Sequence, residues 1–209
     1  MTNEVIFMTA ISKVREYIAG VPEGQAFPSS ALRHFAATEN IRQILNRLVK
    51  AGELKRVARG VFVKPKMIAK VGEMLPSASE VAKTLAESTG ETIAVHGAEA
   101  ARRLQLTTQV PMRLVFYTSG NTRTLKIANR TVKLTHVNPS RLIASETKAG
   151  LVISALGYLG RENVTVKTIA IIKEHISAEE FKTVIKLIEK MPAWMADVFF
   201  RYQQEQNNE

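Results

Sequence analysis

The chain has 209 residues, about one and a half times a typical domain, so two small domains are expected. Hydrophobic residues make up 45% and charged residues 23%, a balance that excludes wholesale disorder. The absence of cysteine excludes disulfides, thiolate metal sites and a cysteine nucleophile, while a net charge of +10 points toward a polyanion.

That charge is uneven. Residues 1–70 hold 12 Lys/Arg against 5 Glu, residues 71–145 hold 9 against 5, and residues 146–209 hold 8 against 9. The excess is concentrated toward the N-terminus. No apolar run reaches 18 residues, so no membrane span is expected. The opening MTNEVIFMTAISKVREY has no basic leader pattern, so no signal peptide is expected either. A cytoplasmic protein fits both.

Ile11, Val14, Tyr17 and Ile18 fall at helical spacing, and Gly20 with Pro22 stops that helix. In GQAFPSSALRHFA, Ser29 or Ser30 is expected to cap a second short helix bearing Leu32 and Phe35. A third helix follows, with Thr38 as N-cap. Its stripe is Ile41, Ile44, Leu45, Leu48 and Val49, at the helical period. The opposite face carries Glu39, Gln43, Asn46, Arg47 and Lys50, with Asn40 and Arg42 on its flanks. Gly52 ends it. Strands are expected at 53–57 and 60–64, decorated by Lys55, Arg56, Arg59, Lys64 and Lys66. The segment from Lys64 to Ser77, with Pro65 and Pro76, reads as a linker.

Three short helices followed by a basic hairpin is the plan of a winged helix-turn-helix. Arg, Lys, Asn and Gln are the side chains that read base edges in the major groove, because they offer paired donors or a donor with an acceptor. Gln43, Asn46, Arg47 and Lys50 share one face, and the hairpin sets charge where it can grip phosphate. The candidate DNA-binding residues are therefore Ser30, Arg33, Asn40, Arg42, Gln43, Asn46, Arg47, Lys50, Lys55, Arg56 and Arg59. A solvated basic surface, or a module for protein contacts, would present the same residues. The spacing of Leu45, Leu48, Gly52, Leu54 and Arg56 before Arg59-Gly60-Val61-Phe62 recurs in many small regulators.

Residues 77–89 read as a helix capped by Ser77 or Ser79, with Glu80 at capping-box spacing from Ser77. A strand at 92–95 and a helix at 98–104 follow. The strongest strand is 113–118, and Ser119-Gly120-Asn121 is read as the turn that starts a hairpin. Strands at 125–128 and 131–137 join at Asn129–Arg130. A second basic surface is expected from Arg102, Arg103, Arg123, Lys126, Arg130 and Lys133. It is either a solvated sheet face or a surface that tracks phosphate on DNA or RNA.

The segments RVARGVFVKP, VHGAEAARRLQLTTQVPMRLVFYTSG and LKIANRTVKLTHV together resemble the AbiEi-type antitoxins of bacterial type IV toxin–antitoxin, or abortive infection, systems. The likeness spans roughly residues 10–200. Its most specific part is LTTQVP at 106–111, followed by a strand and Thr118-Ser119-Gly120. The short chain and MPAWM at 191–195 are closest to a compact branch with an N-terminal winged helix. The resemblance implies a repressor that binds inverted repeats, as duplex DNA, upstream of its own operon. Inverted repeats also allow a homodimer on DNA. It further implies a functional partner, a nucleotidyltransferase-like toxin, countered without a stable complex. DNA binding would belong to the N-terminal domain and antitoxicity to the C-terminal one.

No catalytic residues, cofactor or metal site are expected. The four histidines, His34, His96, His136 and His175, show no metal-ligand spacing. His96 with Glu99 makes a weak acid/base pair and reads better as a turn. The last block reads as helices at 151–159, 168–175, 177–191 and 193–202, with Ser177 and Glu180 as a capping box and QQEQNNE as a frayed tail.

The expected fold is α+β: a winged helix-turn-helix at 1–70, then an α/β domain at 71–209, with strands at about 92–137 and a helical half at 141–204. The expected function is a sequence-specific, DNA-binding transcriptional repressor acting as an antitoxin. The alternative is a protein whose basic surfaces bind RNA or a partner protein, modulating the toxin.

Overall fold

The computed structural model describes residues 9–70 and 72–207; the first eight residues, on which the signal-peptide expectation falls, lie outside them. Among the described residues the chain is α+β, with eight α-helices and nine strands. It divides into two compact units. The first comprises residues 1–90 with 126–130, and the second 91–125 with 131–209.

In the first unit, α1 (Ala10–Gly20) is capped by Thr9, whose hydroxyl accepts from Ser12 N–H. β1 (Ala26–Pro28) leads into a single 3-10 turn, Ser29–Leu32, rather than a full helix. Proline at position 28 and the two serines favour a tight turn over helix propagation. α2 (Thr38–Lys50) starts at its expected cap, so the cap falls one residue earlier. Thr38 is helical, and Ala37 stands at the cap with no side-chain bond. The stripe Ile41, Ile44, Leu45 and Leu48 is buried with Val14, Ile18, Phe27, Leu32 and Phe62. Each such side chain contributes about 1.5–3 kcal/mol on burial.

β2 (Lys55–Ala58) and β3 (Val61–Val63) pair antiparallel, with a bulge between Arg56 and Ala58. Gly60, at φ +77°, makes the turn that a β-carbon would strain. β3 is central, not one side of a two-stranded ribbon. β1 pairs on its other edge, Phe27 opposite Phe62. α3 (Ala78–Ser88) packs on β1 and β3, so Val61, Phe62 and Val63 are all buried. This packing carries the first unit to residue 90, past the expected boundary at 70. The expected linker is itself folded. β4 (Lys66–Ile68) pairs antiparallel with β5 (Gly72–Met74), and Pro65 and Pro76 bracket the hairpin rather than opening it. Ser77 and Glu80 form the expected capping box at the start of α3.

The second unit contains β6 (Ile93–Val95), α4 (Gly97–Arg103), β7 (Leu114–Thr118), and most of β8 (Arg123–Ile127) and β9 (Arg130–His136). The sheet order is β6-β7-β9-β8. β7 runs parallel to β9, with Phe116 opposite Leu134. The turn at 119–121 therefore starts a crossover and not a hairpin, because β9 separates β7 from β8. The helical half holds α5 (Lys148–Leu159), α6 (Val166–His175), α7 (Ala178–Lys186) and α8 (Ala193–Asn207). α5 is buried continuously from Ala149 to Leu156, as a central helix must be. α7 is shorter than expected and passes into a 3-10 turn at Ile188–Lys190. α8 includes Gln203–Asn207 of the expected frayed tail. No helix of the described residues is long and apolar enough to cross a membrane.

Candidate nucleic-acid interface

The apolar stripe of α2 decides what faces outward. With Ile41, Ile44, Leu45 and Leu48 turned in, Asn40, Arg42, Gln43, Asn46, Arg47 and Lys50 are all exposed. Lys55 and Arg56 are exposed on β2, Arg59 on the β2–β3 turn, and Arg33 just after the 3-10 turn. Ser30 is half-buried within that turn. In sequence, residues 1–90 with 126–130 hold 15 Lys/Arg against 8 Glu, a net +7.

The β2–β3 hairpin is tied to α2 by side chains. The Arg56 guanidinium donates to Asn46 Oδ1 at 2.8 Å and lies over the Phe62 ring, 5.3 Å from its centroid. Arg42 pairs with Glu39 at 2.7 Å, and that hydrogen bond holds the Glu39 carboxyl below its usual range. Lys55 pairs with Glu73 of β5, so part of its charge is already compensated. Among the described residues, the side chains of Arg33, Arg47, Lys50 and Arg59 have no carboxylate partner.

Between the 3-10 turn, α2 and the β2–β3 turn lies a cleft of about 330 Å³. Arg33, Arg42, Arg56 and Arg59 line it around Ile41, Leu45 and Phe62. Sequence reasoning placed the four arginines individually but not the cleft. Phe62 joins it because β3 is buried on both faces, and Thr38 because it is helical. A larger open groove of about 1250 Å³, between α1, β1 and α3, is lined by charges of both signs, among them Lys13, Glu16, Lys83 and Glu87.

The residues of the second basic surface differ in how far their charge is compensated. Glu99 takes bonds from Arg102 at 2.7 and 2.8 Å and from Arg103 at 2.8 Å. The Arg102 bond, ahead of that from Arg103, holds the Glu99 carboxyl down at about 2. Arg123 is half-buried and bonded to Glu91 at 2.8 Å. Lys126 and Arg130 sit at the β8–β9 tip, which groups with the first unit; there Ala128 N–H donates to Val57 O at 3.0 Å. Lys133 is exposed on β9.

His96 caps α4, its Nδ1 accepting from Ala98 N–H at 3.3 Å, which is the turn role set against an acid/base pair. Burial, and then the nearby Arg141 guanidinium, push the His96 imidazole below its ordinary pKa. Among the described residues no group of three His, Asp or Glu is placed to hold a metal ion.

Fold and surface thus define an α+β chain whose first unit presents a polar, basic helix beside a basic hairpin. The chain belongs to a family of unknown function, DUF6088, whose model matches residues 13–184. No curated protein and no solved structure matches it.

Proposed function

We propose that the protein is a sequence-specific DNA-binding transcriptional repressor, with α1, the 3-10 turn and α2 as a helix-turn-helix and the β2–β3 hairpin as its wing. The observation that carries this reading is the shared exposure of Asn40, Arg42, Gln43, Asn46, Arg47 and Lys50 on α2, beside Arg56 and Arg59. Asn, Gln and Arg can read base edges bidentately, and exposed guanidiniums can take phosphate. α2 enters the major groove; the wing grips the flanking backbone. No catalytic step is part of the reading.

The resemblance to AbiEi-type antitoxins extends the proposal. The protein represses its own operon through inverted repeats and counters a nucleotidyltransferase-like toxin without a stable complex. A bacterial cytoplasm, with the protein on the nucleoid, is where both roles operate. The test is a gel-shift with the DNA upstream of the gene. A shift that survives random competitor and weakens steeply with salt supports the reading. A second reading, in which the basic surfaces bind RNA, is favoured by the exposed Lys126, Arg130 and Lys133. A shift obtained with structured RNA but not with duplex DNA would select it.

A further inference from the structure

The cleft beside α2 is a pocket in its own right. Its volume of about 330 Å³ falls within the usual range of small-molecule sites, roughly 300–1,000 Å³. Ile41, Leu45 and Phe62 close it at the bottom as part of the core, each 1–3% exposed, so a ligand meets chiefly the arginines of its walls. Arg56 is held over that floor by the Asn46 bond, its guanidinium facing the Phe62 ring. Arg33 and Arg59 line the same cleft, and among the described residues neither side chain has a hydrogen-bond or ion-pair partner. A guanidinium plane stacks on flat rings and binds phosphate bidentately, so the two chemistries occur together here.

We propose that this cleft binds a nucleoside monophosphate, the base stacking on the exposed guanidinium of Arg56 and the phosphate held by Arg33 and Arg59. The site stands on the cleft alone. Its regulatory consequence rests on the DNA-binding reading: a nucleotide that occupies Arg59 and Arg56 withdraws them from the duplex and weakens operator binding.

The test is calorimetric titration of the full chain with AMP, GMP, CMP and UMP, and with adenosine, guanosine, cytidine, uridine and inorganic phosphate. At least one monophosphate should bind about tenfold or more tighter than both its own nucleoside and inorganic phosphate, because each half adds affinity. Thr38 is exposed and lines the cleft. Thr38→Trp should fill it and abolish binding, Thr38→Ala should keep binding, and Arg33→Ala should weaken it about tenfold. Thermal melts establish that each variant is folded. Equal affinity for phosphate and monophosphate, or undiminished binding in folded Thr38→Trp or Arg33→Ala, overturns the proposal. The titration contains no DNA and the gel-shift no nucleotide. A failed gel-shift therefore overturns the repressor reading alone, and a failed titration overturns the cleft proposal alone.

Discussion

The Arg56 guanidinium donates to Asn46 Oδ1 across 2.8 Å, joining the hairpin to the exposed face of α2. The bond fixes two groups of the proposed interface in one geometry before any ligand arrives. If both meet the same DNA, Asn46→Ala and Arg56→Ala should be coupled. The double variant's loss of operator affinity should differ from the sum of the single losses by about 0.5 kcal/mol or more. Additive losses in a double-mutant cycle would mean that the bond only packs the surface.

Arg47 and Arg59 should behave differently. Arg47 lies on the exposed face of α2, and Arg59 on the β2–β3 turn. Arg47→Ala should cost about 1–3 kcal/mol on the operator and relax discrimination against random DNA. Arg59→Ala should weaken all sequences evenly and lower the salt slope by about one. Competition gel-shifts at several salt concentrations measure both. Undiminished discrimination in Arg47→Ala would remove α2 from the reading role.

Glu99 provides an acid-sensitive contact. Its carboxyl is held at about 2 by Arg102 and Arg103, against 4.5 for the ordinary group. A depressed carboxylate stabilises the fold fully above its unfolded pKa, and that contribution is lost as pH falls through the folded value. Glu99→Gln should therefore lower the melting temperature more at about pH 6 than near pH 2, with the difference shrinking below about pH 4.5. Equal losses at both pH values would show that the ion pairs contribute nothing.

Gly97 lies where α4 packs closely against α5. A β-carbon there would stand 2.2 Å from Tyr158 Cβ and 2.6 Å from Ser154 O. The second clash is with helix backbone, which cannot yield as a flexible side chain does. Gly97→Ala should destabilise the second unit by about 1–3 kcal/mol, read from denaturant midpoints. Gly20→Ala, with open space around the added carbon, should not destabilise the chain.

What could be read from the sequence follows from the range of the interactions. The α2 stripe repeats every three or four residues, and the Ser77–Glu80 and Ser177–Glu180 boxes close within one turn, so all three were legible. β1 is three residues long, ends in Pro28 and pairs with β3 across more than thirty residues of chain, so no local pattern announces it. The parallel β7–β9 pairing is equally non-local. The exposed residues of α2 were legible because the stripe fixes its opposite face. The cleft was not, because its walls come from three segments. Counting charges left out the carboxylate partners of three arginines in the second basic surface. Glu91 neutralises Arg123 from 32 residues away, which sequence cannot show. Glu99 precedes Arg102 and Arg103 by three and four residues, a helical pairing that the spacing did contain.

On the proposed reading, repression and antitoxicity should be separable. The proposed DNA-reading residues belong to the first unit. The LTTQVP segment at 106–111, which carries the most specific part of the antitoxin likeness, belongs to the second. Arg42, Arg47 and Lys50 are exposed on α2, and the pair that Arg42 makes with Glu39 is itself exposed. Exposed pairs contribute little to stability, and changes at such positions rarely unfold a domain. The triple variant Arg42→Ala, Arg47→Ala, Lys50→Ala should therefore melt near the wild type. It should nevertheless lose operator binding, because three cations leave one face. Expressed from an unrelated promoter, it should still rescue cells from the neighbouring toxin. Rescue by this variant would place antitoxicity outside the DNA-reading face. Failure to rescue, in a variant shown to be folded, would mean that the basic face itself meets the toxic pathway. That outcome would favour contact with RNA or the toxin over repression as the work of this surface.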